Sequence, residues 1–483
     1  MKYRKIALVN PPYSWRVFPI PVILPGLGYL AETLRDGGAE VRVIDAQLGY
    51  KRDDIVKELR DDKPDIVGFS FISYLPLSHA RLVRAVREAL PEAVLVAGGP
   101  HISSLREQVL RDIPELDYGI ILDGERPLLD LARGERPGDI PGLIYRDGDV
   151  VVMNKEDLVV DIDTIPWPKY RDFQLDRYGY GISIVTSRGC PYRCIYCSCN
   201  VIGKKFRYRS AESVVDEVKY WYGKGYREFG LQEDNPTFIK ERMHEICDGI
   251  IKAGLDGAVF QAGNGLRAEK VDEELLEHMY AAGFRRIAFG IESASDVVLK
   301  AMRKGLKVEQ SDRAVRLACE KGFFVSLFFL IGTPGENWEE LEKSFAFALK
   351  YPVSDVSFYN LVPMPGTDLW DYVEKNDLWI RRPEEYLNCD RFPMQSLEPV
   401  FFTPELSKEE RIAASREGWR IRSEVMRRVI VRKFSKFGLA GRMVAWVYSR
   451  PKIRAIENAL LAKPWYRATV GKLRKKIRAV FYK

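Results

Sequence analysis

The sequence predicts an α/β protein: an N-terminal doubly wound, Rossmann-like parallel sheet, then a partial (βα)6 TIM-like barrel, then a mainly helical C-terminal region. Three observations carry the prediction. Short apolar runs alternate with helix-period segments over residues 1–135. The alternation pauses over a proline-bearing stretch and resumes at residue 182 for six more strand–helix repeats. Beyond residue 365 it ceases. A length of 483 residues allows two or three domains, and 46% hydrophobic with 30% charged residues is a globular balance.

In the first domain, residues 5–9 form an apolar strand that Asn10-Pro11-Pro12 ends abruptly. Leu27, Leu30 and Leu34 then recur at helical spacing until Gly37-Gly38 stops them. Further strands are predicted at 41–44, 66–69, 94–97 and 118–122, with helices at 55–60, 82–90, after Ser103 and at 127–132. Ligands of such open sheets bind at the carboxyl ends of the strands. Those ends carry Asn10, Pro11 and Pro12; Asp45; Ser70 and Ser73; Gly98, Gly99, Pro100 and His101; and Asp123, Gly124 and Glu125. Gly98 and Gly99 permit a large planar ligand or its phosphate tail to approach the backbone. His79 reads as structural, and His101 reads equally well as a turn residue. Residues 136–180 read as a hairpin, marked by Asp147-Gly148 between two apolar runs, followed by a linker bearing Pro166 and Pro168.

In residues 181–365, strands at 182–186, 228–231, 258–261, 286–290, 325–331 and 355–359 alternate with helices at 211–222, 239–253, 272–282, 311–321 and 338–349. Chemistry in such barrels gathers at the carboxyl ends of the strands. Here those ends are polar: Gln232-Glu233-Asp234-Asn235, Asn264 with Arg267, Glu292-Ser293, Gly332 to Glu336, and Asn360. Each acid could instead cap a helix, and Arg267 could simply neutralise a neighbouring acid.

The stretch from Ser187 to Cys197 places three thiols, Cys190, Cys194 and Cys197, within eight residues, around a turn made by Gly189 and Pro191. Thiolates converging on one point suit a soft metal. Structural zinc usually takes four protein ligands, whereas this loop offers three and the chain has no second Cys-x-x-Cys. A cubane iron–sulfur cluster on three cysteines keeps one iron open, consistent with this set. Cys199, Cys247, Cys319 and Cys389 read as small structural residues. Residues 1–189 contain no cysteine, which excludes a thiolate-bound cluster from the first domain.

The Cys-x-x-x-Cys-x-aromatic-Cys spacing resembles the radical S-adenosylmethionine (SAM) family. With Asn-Pro-Pro and Gly-Gly-Pro-His in residues 1–135, the chain resembles the members that also carry a cobalamin-binding domain, among them B12-dependent methyltransferases and the anaerobic Mg-protoporphyrin ester cyclase. The resemblance implies a 4Fe-4S cluster on Cys190, Cys194 and Cys197, whose open iron binds SAM and supports its cleavage to a 5′-deoxyadenosyl radical. It places Tyr196 beside the adenine, although the same Tyr could be core packing. It places Glu233 or Asp234 at the SAM amino group, and Asn264, Arg267, Glu292 and Ser293 around the ribose and carboxylate. It implies cobalamin over Asn10, Pro11, Pro12, Asp45, Ser70, Ser73, Gly98, Gly99, Pro100, His101, Gly124 and Glu125. The Asp-x-His-x-x-Gly signature of a cobalt-ligating His is absent, so the lower base is expected to be displaced without a His ligand. An external electron donor of ferredoxin or flavodoxin type is implied, and residues 366–420 are expected to cover the substrate.

The expected reaction is methyl transfer to an unactivated carbon of a small molecule or lipid. Ring closure or another carbon–carbon bond-forming reaction is the alternative, and a non-catalytic cobalamin or iron–sulfur sensor is the reading of another class. Residues 421–483 carry 18 Lys or Arg against 2 Asp or Glu, interleaved with Trp446, Trp465 and Tyr466, so residues 1–420 are net acidic. Such a tail suits an anionic membrane surface, with a plain solvated face as the alternative; nucleic acid is less favoured because no recognition motif accompanies the charge. No run approaches the roughly 18 apolar residues of a spanning helix, and residues 1–10 do not read as a signal peptide. The expected location is the cytoplasm, peripheral to the membrane.

Overall fold

The computed structural model of the chain describes residues 1–12, 21–179, 181–203, 205–388, 394, 396–435, 438–439 and 443. Cys389, Phe392 and most of the basic aromatic tail lie outside the described residues. The first sheet has seven strands: β1 (Lys5–Asn10), β2 (Glu40–Asp45), β3 (Ile66–Ser70), β4 (Val94–Gly98), β5 (Tyr118–Ile120), β6 (Leu143–Asp147) and β7 (Val150–Met153). Their order is β2-β1-β3-β4-β5-β6-β7, parallel from β2 through β5. Because helices cover both faces, β1 is a continuous apolar run rather than an alternating one. Ile6 and Leu8 pack with Leu27, Leu34 and Leu128, while Ala7 and Val9 pack with Ile55, Leu59 and Leu82 on the other face. From β1 the chain steps to β2 on one side and then crosses back over β1 to β3 on the other, and the crevice at the carboxyl ends of β1 and β3 is where such sheets take ligands. The hairpin expected around Asp147-Gly148 is β6–β7, and it pairs antiparallel with β5 and extends the sheet.

The barrel strands are β8 (Ile182–Ile184), β11 (Glu228–Leu231), β12 (Val259–Leu266), β13 (Phe284–Glu292), β14 (Phe324–Ile331) and β15 (Asp355–Asn360). They form one parallel sheet in the order β15-β14-β13-β12-β11-β8. Two short strands, β9 (Ser187–Arg188) and β10 (Arg207–Tyr208), pair antiparallel and close the base of the cysteine loop. Phe229, Phe260 and Phe284 stack across β11, β12 and β13 with ring centroids 5.2 Å apart at each step. The apolar core of the barrel is continuous with the Ile6–Leu8 face of the first sheet.

The C-terminal boundary drawn at residue 420 falls inside a single helix, Lys408–Phe434. Ser407 and Glu410 start it with a reciprocal capping box. Its buried residues Ala414, Gly418, Ile421, Val425 and Val429 recur at helical spacing past residue 420. Gly418 is required by contact, since a Cβ there would lie 2.7 Å from the Phe358 side chain of β15. Among the described residues no helix is long and apolar enough to cross a membrane.

Candidate active site

β8 ends at Ile184 and delivers Thr186 and Ser187 to the mouth of the barrel, where the cysteine loop begins. Gly189 has φ +78°, and a Cβ there would meet the Gly203 and Lys205 carbonyls at 2.4 Å, so the turn ahead of Cys190 needs glycine. Cys194 is buried, with Cys190 and Cys197 half-buried. The loop is tied down from Cys197 N–H to the Cys194 carbonyl (3.1 Å) and from Cys190 N–H to the Gly203 carbonyl (3.3 Å). Burial pushes the Cys190 and Cys194 thiols up, and for Cys194 the nearby charges of Lys304 and Arg267 work against that. Cys197 is held below its ordinary value first by a hydrogen bond from Cys199, which gives the thiol outside the spacing a supporting place at the loop. Three thiols beside two cations form a donor set that fits an anionic iron–sulfur cluster. Among the described residues no three His, Cys, Asp or Glu side chains close on a single metal ion; the thiolates of a cluster bind separate irons.

Glu233, expected at the SAM amino group, sits behind the loop. It is 5% exposed and accepts from Thr186 N–H (2.6 Å), Thr186 Oγ1 (2.7 Å), Ser187 N–H and Ser187 Oγ. Arg242 offsets its charge and donates to the Thr186 carbonyl (2.6 Å). Asp234 is exposed, and its charge adds to the rise of the Cys190 thiol and works against the lowering of Cys197. Asn264 is exposed, its Nδ2 3.4 Å from the Glu233 carbonyl. Arg267 pairs with Glu269, donates to the Lys304 carbonyl and stacks on the Tyr192 ring. Glu292 ends β13 at φ +63°, a strained conformation for a non-glycine residue. Its carboxylate takes the buried Lys304 Nζ at 2.9 Å, and the Tyr196 hydroxyl lies 3.5 Å from the same nitrogen. Ser293 turns inward to Ser344 and Ser295. Lys304 carries no spacing signal in the sequence, and only the fold brings it to Tyr196 and Glu292.

The loop after β14 is fixed from within. Glu336 accepts from Gly332 N–H at 2.6 Å, and burial pushes its carboxyl from 4.5 up to about 7, with Arg411 opposing. Arg411 of helix Lys408–Phe434 is wholly buried and donates to the carbonyls of Phe401 (2.7 Å) and Ile331 (3.1 Å).

At the carboxyl ends of β1, β3, β4 and β5 lies a cavity of about 290 Å³, at the small end of ligand pockets. Leu8, Gly68, Val96 and Ile120 give it an apolar floor, and Ser70, Asp123, Glu125 and Arg188 a polar rim. Of the twelve residues read as a cobalamin cradle, Ser70, Gly98, Gly99, Pro100, Gly124 and Glu125 line it. Asn10 and Asp45 lie elsewhere, hydrogen-bonded to each other (2.7 Å), with Tyr178 of the linker on Asp45 (2.7 Å). Pro11 is buried, and Pro12 lines a separate surface depression. Ser73 and His101 are buried away from the cavity, and burial pushes the His101 imidazole down to about 4, so it stays neutral. Gly98 and Gly99 differ in what they serve. A Cβ on Gly98 meets only the Ile120 carbonyl at 3.6 Å, whereas Gly99, at φ +98°, passes so close to Phe71 that a Cβ would sit 2.7 Å from its carbonyl oxygen. An apolar slot with a polar rim fits part of a large planar cofactor.

The chain matches the radical SAM superfamily over residues 184–348 and the B12 binding domain over residues 21–132. An uncharacterized methyltransferase of Pyrococcus horikoshii is 32% identical over 399 residues, 78% of this chain and 85% of that protein. The cytidylyl-2-hydroxyethylphosphonate methyltransferase of Streptomyces wedmorensis is 29% identical over 437 residues, 76% of this chain and 81% of that protein. Among solved structures, the cobalamin-dependent SAM radical enzyme OxsB, with aqua-cobalamin and SAM bound, superposes with a TM-score of 0.73 at 20% identity, covering 99% of this chain and 76% of that one.

Proposed function

Because the chain belongs to the cobalamin-dependent radical SAM enzymes, whose cofactors are a 4Fe-4S cluster, SAM and cobalamin, we propose that it methylates an unactivated carbon of an apolar, lipid or isoprenoid substrate. The observation that carries this reading is the direct link between the two strand-end sites. Arg188, two residues before Cys190, reaches Asp123 and Glu125 on the rim of the β1–β5 cavity. Cys190, Cys194 and Cys197 would hold the cluster, with SAM beside Tyr196, Asp234, Asn264, Glu292 and Lys304, and part of cobalamin in the cavity floored by Leu8, Gly68 and Ile120. When bound, these groups supply hydrogen abstraction and a transferable methyl.

The side chains of this protein then position and exclude water. Glu233 fixes Thr186 and Ser187 and so the start of the cysteine loop. The Glu292–Lys304 pair, 12% and 8% exposed at the side chain, presents fixed charge in a drained setting. Tyr74 from the first domain, Tyr196 from the cysteine loop, Met364 from the end of the barrel segment and Trp370, Trp379 and Tyr386 from the C-terminal region form one apolar cluster. That cluster packs the C-terminal region against the cysteine loop, and the basic aromatic sequence beyond residue 435 supports approach of a lipid substrate from an anionic membrane surface. The test is anaerobic incubation of the reconstituted enzyme with methyl-labelled SAM, a strong reductant and lipid extract. Label in the lipid fraction is expected; SAM cleavage with no methyl label in any lipid product would refute the substrate assignment.

A further inference from the structure

We propose that Arg188 is a positioning residue that couples occupancy of the β1–β5 cavity to the placement of the cysteine loop. The inference rests on the reading that the cavity takes part of a corrinoid and that the three thiols take a cluster. Arg188 leaves the loop just before Gly189-Cys190 and crosses into the first domain. Its Nη1 lies 3.1 Å from Asp123 and its Nη2 2.7 Å from Glu125, while its guanidinium lies 4.7 Å from the centre of the Tyr29 ring. All four residues line the cavity. Asp123 is also held by Arg207 of β10, the strand that pairs with Arg188 itself. Tyr29 is tied back to the barrel through its hydroxyl, 3.3 Å from the Val185 carbonyl. The wall of the cavity and the root of the cysteine loop are therefore one hydrogen-bonded body.

The arrangement is more specific than a surface ion pair. The side chains of Arg188, Asp123 and Glu125 are 17%, 10% and 7% exposed, so the charges have little water to fall back on. The planar fork spans two carboxylates that flank Gly124, a bridge that a lysine ammonium cannot reproduce. A ligand seated in the cavity touches the same wall that fixes Arg188. Ordering the wall then orders the loop, and by reciprocity a loaded loop must favour the ligand by the same factor.

The experiment measures hydroxocobalamin affinity by visible absorbance for the wild type and Arg188→Gln, each with its cluster assembled and after iron removal by chelation. The wild type is expected to bind at least about 5-fold more tightly in the cluster-loaded form, the lower end of measured couplings. In Arg188→Gln the ratio falls to about 1, and Arg188→Lys keeps an intermediate value. In parallel, hydroxocobalamin slows amide hydrogen exchange over residues 186–203 in the wild type and not in Arg188→Gln. If Arg188→Gln fails to fold, Glu125→Gln, which keeps the arginine and Asp123, is expected to lower the same ratio. A ratio of 1 in the wild type, or an unchanged ratio in the folded variants, overturns the coupling and leaves the cofactor reading intact. Failure of the wild type to take up hydroxocobalamin overturns both.

Discussion

Glu233 is the support on which the cysteine loop stands, and Glu233→Ala tests this. The substitution leaves the buried N–H groups of Thr186 and Ser187 without acceptors, at about 1–3 kcal/mol each, or roughly 2–6 kcal/mol together. It also leaves Arg242 without its compensating charge. At about 2–4 °C per kcal/mol for units of 150–250 residues, the melting temperature should fall by roughly 5–20 °C. Glu233→Gln, which retains a carbonyl acceptor, should lose about half as much. The assays are thermal unfolding of the cluster-free protein and iron content after anaerobic reconstitution, with both variants expected to hold less iron. An alanine variant that melts within about 2 °C of the wild type and takes up full iron would refute the assignment of Glu233 as the loop's anchor.

Other outcomes follow from the same geometry. Alanine at any one of Cys190, Cys194 or Cys197 should abolish the reconstituted iron–sulfur absorbance, whereas Cys199→Ala should retain it, which iron analysis decides. Gly98→Leu should fold but lower hydroxocobalamin affinity more than tenfold, because its side chain enters the cavity. Gly99→Ala should instead destabilise by about 1–3 kcal/mol through strain at positive φ, seen as a lowered melting temperature before any ligand is added. Lys304→Met should lower SAM affinity about tenfold or more and cost about 3–5 kcal/mol by leaving Glu292 buried and unpaired; equal SAM binding by calorimetry would exclude it from the site. For Glu336 the folded value lies above the unfolded one, so its contribution to stability is complete below about pH 4.5 and is lost as pH rises through about 7. The stability of the wild type relative to Glu336→Gln should therefore fall by up to about 3 kcal/mol between pH 5 and 8, measurable by urea unfolding at both pH values.

The sequence made the elements and the cysteine loop legible because both are local. Apolar runs such as Ile6 to Val9 and the caps and glycines between them announce the sheet, and three thiols in eight residues announce soft-metal chemistry. What escaped was set by distance along the chain. Lys304 meets Glu292 and Tyr196 only because β13 and the cysteine loop converge at one barrel mouth. Arg188 meets Asp123 and Glu125 across a separation of more than sixty residues. The sequence places polar residues at the strand ends, but their roles depend on which way each side chain turns. Glu233 and Ser293 turn into the protein, Asn10 and Asp45 satisfy one another, and Gly99 serves the passage of Phe71. The helix that crosses residue 420 was obscured because its exposed face is strongly basic and masks the spacing of Gly418, Ile421, Val425 and Val429.

In the reading developed above, one chain brings SAM and a corrinoid to work together. This is tested most directly by incubating the reconstituted protein anaerobically with hydroxocobalamin, methyl-labelled SAM and a strong reductant, then isolating the bound corrinoid. Methyl label is expected on the corrinoid in the wild type and none in the Cys194→Ala variant. A corrinoid that binds but never acquires label, while SAM is consumed, would contradict that reading.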